Sequence, residues 1–315
     1  MQNWCSRTCC GPISAPPTCR PPWPNMPGAS AGSVPVLPDP VFSAAPQPSR
    51  ARAARWSDLR PRVISSVVLA PVVLGCLWGG GPYWGTLMAV AGVGLALEWV
   101  ALCGLPPGDW PGFGVVAAVL AGVALTASGW LEVGAAALLV GAGLVLPPVR
   151  WRLAAGVAYA GVGAIALAWL RLDPLAGRAN LVFLVAVVWA SDIGAYLAGR
   201  LIGGPKLAPA ISPGKTWSGA VGGLAAAMLA GCAAGQAMAP GAPVRAAALA
   251  CLLAAASQAG DLLESAIKRG FGVKDSGRLI PGHGGLMDRL DGFLVAAPVA
   301  AALGMLVGRG TALWH

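Results

Sequence analysis

Charge is scarce in this chain. Only 10% of its 315 residues are Asp, Glu, Lys or Arg, against roughly 25% in ordinary soluble proteins, and only twelve are acidic. With 57% hydrophobic residues and a mean hydropathy of +0.70, that scarcity excludes a soluble globular domain. Histidine is scarcer still, with His283 and His315 alone, and the eight cysteines contain no Cys-x-x-Cys pair. A zinc centre built on His and Cys is therefore excluded. Cys76, Cys103, Cys232 and Cys251 are scattered through apolar runs, where cysteine acts as a small packing residue. There is no Gly-x-x-x-x-Gly-Lys-Ser/Thr loop, so the chain is not a P-loop nucleotide binder. The net charge of +9 has no soluble basic face to sit on, which argues against a nucleic-acid partner.

Long apolar runs are what the chain has instead. A helix needs about 20 apolar residues to cross a bilayer, and the sequence is divided by Gly, Pro and Arg into nine such stretches. They lie near 63–80, 83–104, 112–128, 131–147, 153–170, 180–201, 217–238, 244–269 and 290–308. The predicted fold class is all-α, a polytopic membrane protein of about nine transmembrane helices. Twelve prolines in the first fifty residues predict a disordered tail, so residues 1–60 are read as a Pro/Arg-rich cytoplasmic extension. Residues 61–175 are then scaffold helices, and 176–315 a catalytic region with cytoplasmic loops. An inside amino end places seventeen Lys and Arg inside and four outside, at Arg171, Arg178, Arg245 and Arg309. That asymmetry follows the positive-inside rule and predicts a multi-pass protein of the cytoplasmic (inner) membrane with a cytoplasmic amino terminus.

The few charges are not spread evenly. Residues 257–292 hold five of the twelve carboxylates (Asp261, Glu264, Asp275, Asp288, Asp291) and five of the twenty-one cations (Lys268, Arg269, Lys274, Arg278, Arg289). Ionised groups at membrane depth are costly, so their presence marks a functional site. Asp261, Glu264, Ser265 and Lys268 are spaced i, i+3, i+4, i+7 and share a stripe near one helix end. Asp288 and Asp291 repeat the i, i+3 spacing where the last span begins. Carboxylates without His or Cys select magnesium or manganese, which bind through a few carboxylates plus substrate phosphates. Asp261, Asp288 and Asp291 are the predicted metal ligands and catalytic residues, with Asp192 a further metal candidate and Lys268 a catalytic cation. Carboxylates and cations together fit phosphoryl or nucleotidyl transfer.

Span six ends with Asp192 and Tyr196 on one helical face, followed by a Gly/Pro-rich loop over 201–219 that carries Lys206, Ser212, Lys215, Thr216 and Ser218. Backbone N–H groups beside lysines suit phosphate oxygens. His283, in a Pro-Gly-His-Gly-Gly turn, is read as a phosphate contact or loop former rather than a proton donor. Glu98 lies inside a span beside Trp99, and is read as an interfacial residue.

These motifs resemble the phosphatidate cytidylyltransferase family, also called CDP-diacylglycerol synthases. The family signature is matched in full by Ser265, Lys268, Arg269, Lys274, Asp275, Ser276, Gly277, Pro281, Gly282, His283, Gly284, Gly285, Asp288, Arg289 and Asp291. Its Gly-Asp-Leu-x-Glu-Ser lead-in is matched at Gly260–Ser265, and its second region between Asp192 and Gly219. Gly214 and Ser218 depart from the family pattern, replacing a loop cation and a loop carboxylate. The resemblance implies transfer of a cytidylyl group from CTP to phosphatidate, giving CDP-diacylglycerol and pyrophosphate in phospholipid biosynthesis. It implies Mg2+ or Mn2+ as cofactor, surrounding membrane lipids, and a homodimer as a candidate assembly. Lys206, Ser212, Lys215, Thr216, Ser265, Arg269, Lys274, Asp275, His283 and Arg289 are the expected substrate-binding residues. Two rivals predict other things. A CTP-using polyprenol kinase requires a different lipid acceptor, and a transporter requires mid-span carboxylates and repeat symmetry.

Overall fold

A computed structural model describes residues 67–106, 108–145, 151–277, 279 and 284–315. The Pro-rich tail, Arg278 and His283 lie outside the described residues. Among the described residues nine helices follow one another: α1 Val67–Gly79, α2 Gly81–Leu102, α3 Trp110–Ala127, α4 Leu131–Leu144, α5 Trp151–Leu172, α6 Gly177–Leu201, α7 Trp217–Met238, α8 Pro243–Gly270 and α9 Met287–Val307. All but α1 and α4 are long and apolar enough to cross a bilayer. With 14 residues, α4 is about 21 Å long, short of the roughly 30 Å hydrocarbon core. By contrast, the 28 residues of α8 make it about 42 Å long. Its last turns therefore carry Glu264 to Arg269 up to or past the membrane edge.

The loop after α6 is not a simple phosphate loop. Strands β1 (Lys206–Ala208) and β2 (Ser212–Thr216) pair antiparallel, Lys206 opposite Thr216 and Ala208 opposite Ser212. Gly203 and Gly204 reverse the chain out of α6 with φ of 67° and 104°, a conformation that strains any residue with a Cβ. Thr216 then caps α7, its hydroxyl accepting from the Gly219 N–H at 3.1 Å. The Ser218 hydroxyl donates to the Gly203 carbonyl. Ser218, one of the two departures from the family pattern, thus ties the hairpin to the helix it precedes.

Small residues let the helices approach closely, and they do so beside the charges. A Cβ on Gly222 would stand 2.2 Å from that of Ala198, and one on Gly231 2.4 Å from that of Ala250, drawing α7 onto α6 and α8. A Cβ on Gly260 would meet the Asp291 carbonyl at 2.7 Å, and one on Gly292 would meet the Ser257 hydroxyl at 2.3 Å. Backbones in contact at Gly260 and Gly292 bring the neighbouring Asp261 and Asp291 to one crossing of α8 and α9. The opposite end of the bundle is closed by other means. Arg171 donates from Nε to the Leu77 carbonyl at 2.8 Å, Asn180 accepts from the Leu313 N–H at 3.0 Å, and Trp314 stacks on Phe183 at 4.5 Å.

Candidate active site

The predicted carboxylates fall into two neighbouring groups at one end of the bundle. In the first, Lys215, at the end of β2, forms an ion pair with Asp261 of α8. Asp192 of α6 and Asp291 of α9 stand within electrostatic reach of the same pair. Asp192, Tyr196, Lys215, Thr216, Gln258 and Asp261 face a cavity of about 500 Å³ between α6, the hairpin, α7 and α8. The Gln258 amide is fixed by donation from Nε2 to the Ser191 hydroxyl and the Ala220 carbonyl, both at 3.1 Å.

The second group is built on Lys268. Its ammonium contacts Asp288 Oδ1 at 2.6 Å and Glu264 Oε1 at 3.0 Å. Glu264 is fully buried, and its Oε2 has no hydrogen-bond partner among the described residues. The other oxygen of Asp288, Oδ2, accepts from the Ser276 N–H at 3.1 Å, the Ser276 hydroxyl at 3.1 Å and the Gly285 N–H at 3.0 Å. Glu264 also feels the charges of Asp291 and Asp288, so the two groups form one acidic line crossed by two lysines. The i, i+3 spacing put Asp261 and Glu264 on one stripe. Their side chains nevertheless diverge by about 60° around α8, Asp261 toward the cavity and Glu264 toward Lys268.

The reading of Glu98 as an interfacial residue is corrected by the structure. Glu98 is only 5% exposed and accepts from the Leu286 N–H at 2.6 Å, the Met287 N–H at 2.8 Å and the Ser276 hydroxyl at 3.2 Å. These N–H groups open α9 and have no partner within the helix, so a carboxylate there satisfies them and complements the helix dipole. Gly277 and Gly285 make room for this arrangement. A Cβ on Gly285 would lie 2.0 Å from the Ser276 hydroxyl and 2.8 Å from Glu98 Oε2. The absent side chains thus admit Glu98 and Ser276. Its position inside an apolar span was the available sequence signal for Glu98, but nothing in the local pattern named its partner.

Lys206, Lys274 and Asp275 are exposed, and Arg269 turns outward to the Val273 carbonyl at 3.4 Å. Arg289 is exposed on the first turn of α9. Ser212 is half-buried at the start of β2, and Ser265 half-buried on α8. Among the described residues no three His, Cys, Asp or Glu side chains form a complete metal cage. A magnesium-like ion does not need one, because it takes one or two carboxylates and completes its shell with water and substrate phosphate. Asp261 and Asp291 supply two such carboxylates, although a cation at Asp261 would have to displace Lys215. At Asp288 a cation would have to displace Lys268.

Apolar helices with carboxylates and lysines gathered at one end define a multi-pass membrane protein. Comparison with known proteins narrows this: the chain belongs to the Cytidylyltransferase family, whose model matches residues 60–307. It is 43% identical over 269 residues to a phosphatidate cytidylyltransferase of Brucella suis, covering 79% of this chain and 94% of that one. A phosphatidate cytidylyltransferase of Pseudomonas aeruginosa is 38% identical over 279 residues, covering 80% and 99%. Another from Haemophilus influenzae is 41% identical over 148 residues, covering 44% and 50%.

Proposed function

We propose that the protein is a CTP:phosphatidate cytidylyltransferase of the inner membrane, its active end and amino terminus cytoplasmic. One observation carries this reading. Two lysine–carboxylate contacts, Lys215 with Asp261 and Lys268 with Asp288, link α8 to the hairpin and to α9. They do so in a chain 43% identical to an enzyme of that name.

The cavity beside Lys215 receives the triphosphate, and Lys268 holds phosphate oxygens on the α9 side. The phosphomonoester of phosphatidate, ionised near neutral pH, needs no general base. One of its oxygens attacks the α-phosphorus of CTP, a new P–O bond forms, the bond from the α-phosphorus to the bridging oxygen breaks, and pyrophosphate leaves. Lysine ammonium groups held in place before reaction stabilise that developing charge without reorganising. Asp261 and Asp291, with Asp192 as a further oxygen donor, would hold a magnesium or manganese ion, which would supply charge neutralisation on the phosphates; Asp288 would join them only by giving up Lys268. Glu98 and Ser276 keep Asp288 in place, and Glu264 with Asp288 fixes Lys268.

Purified protein given radiolabelled CTP with phosphatidate or with polyprenol tests the reading. Label should enter the phosphatidate product alone, and labelled polyprenyl phosphate would contradict it. Lys215→Ala is expected to raise the KM for CTP about tenfold while lowering kcat less, because it removes a contact made before and during reaction. Unchanged kinetics would remove Lys215 from the CTP site. Chelation with EDTA should abolish turnover, and added Mg2+ or Mn2+ should restore it; full activity after chelation would remove the metal assignment.

A further inference from the structure

The acidic line lies against an apolar groove of about 660 Å³ formed by α2, α5, α8 and α9. Its floor is an aromatic cluster. Trp99 donates from Nε1 to the Arg152 carbonyl at 2.8 Å and meets Tyr159 at 5.6 Å and Phe271 at 6.2 Å between ring centres. Gly156 makes the insertion of Trp99 possible, since a Cβ there would stand 2.1 Å from the indole ring. The groove runs along α5 from Trp151 to Val162, about 16 Å at the rise of an α-helix, and Pro298 of α9 forms part of its far wall. Its α5 rim is open to the outside of the bundle, with Trp151 65% and Val162 41% exposed. In a membrane-spanning helix that outside is hydrocarbon.

Two polar features separate this groove from an ordinary lipid-facing furrow. At its polar end the Arg152 guanidinium lies over Phe271 at 5.2 Å and Trp151 at 5.8 Å. On its inner wall Tyr159 presents a buried hydroxyl with no hydrogen-bond partner among the described residues, within electrostatic reach of Glu264, Asp291 and Asp261. A buried hydroxyl without a partner is costly, and an oxygen of a bound molecule would supply one. The groove between α3 and α4 is also apolar, but its lining contains no ionisable side chain.

Resting on the function proposed above, we infer that this groove seats an acyl chain of phosphatidate. Tyr159 donates to an oxygen at the head of the lipid, and Arg152 favours an anionic headgroup over a zwitterionic one. A phosphatidate with a photoactivatable diazirine in its acyl chain, bound to the full-length protein in nanodiscs, reads the site directly. Label is expected in peptides covering 151–162 and 294–299, and should be chased by unlabelled phosphatidate but not by phosphatidylcholine. Val162→Trp, which narrows the groove at its open rim, should raise the KM for phosphatidate about tenfold and leave that for CTP unchanged. Tyr159→Phe, which keeps the volume, should raise the same KM without loss of thermal stability. Val140→Trp on the α3–α4 side should change neither KM.

Label spread evenly over the helices, or chased equally by phosphatidylcholine, would mean annular lipid only and would overturn the inference. So would wild-type KM values in Tyr159→Phe and Val162→Trp. Absence of any turnover of CTP and phosphatidate by the unaltered protein would instead overturn the proposed function.

Discussion

Asp261→Asn is expected to lower CTP-dependent turnover by about 10²- to 10³-fold while leaving the amount of protein in the membrane near normal. The size follows from removing one preorganised charge from a site that stabilises developing charge, typically about 3 to 4 kcal/mol. The selectivity follows from exposure. The side chains of Asp261 and Lys215 are 36% and 27% exposed, and a pair so open to solvent contributes no more than about 1 kcal/mol to folding. Turnover and abundance measured on the same membranes check this. Wild-type turnover in Asp261→Asn would remove Asp261 from the site. Asp288→Asn should lose turnover too, but with a fall in abundance, because its carboxylate also holds Ser276, Gly285 and Lys268.

A second large effect is expected far from the signature region in sequence. Glu98→Ala leaves the Leu286 and Met287 N–H groups without their acceptor, while the Ser276 hydroxyl keeps Asp288. Each buried donor so stranded costs about 1 to 3 kcal/mol, so the sum is about 2 to 6 kcal/mol and the protein should unfold at markedly lower temperature. Glu98→Gln keeps one acceptor oxygen but turns an N–H2 toward groups that are themselves donors. Its turnover should therefore fall further than its thermal stability does. Thermal unfolding in detergent and turnover on the same preparation make the comparison. An unchanged Tm with full turnover in Glu98→Ala would show that the contact with α9 does not matter.

The helical frame was legible because hydropathy reads membrane spans directly. From α2 to α9 the helix ends fall within three residues of those expected, since lipid forces the backbone to satisfy its own hydrogen bonds. The concentration of charge in 257–292 was legible for the same reason: ionisable groups are conspicuous against apolar sequence. What could not be read is pairing at a distance. Glu98 reaches Ser276, Leu286 and Met287 across 178 to 189 residues, and no local periodicity encodes such a contact. The β1–β2 hairpin was hidden because its Gly/Pro-rich sequence reads as loop, and the ladder is closed by only a few residues. Thr216 looked like a phosphate ligand, but its hydroxyl already accepts from the Gly219 N–H as a helix cap. Gly260 and Gly292 set where α8 and α9 cross and hence that Asp261 and Asp291 lie at one crossing, a pairing between helices that no local pattern names.

Equilibrium binding of CTP to the purified protein, with and without Mg2+, tests most directly whether acidic groups from two crossing helices gather on a cation-bound nucleotide. The wild-type protein should bind CTP much more tightly with Mg2+ than without, and Asp261→Asn and Asp291→Asn should each lose that gain while remaining folded. Equal Mg2+-dependent binding in the wild type and both variants would contradict it.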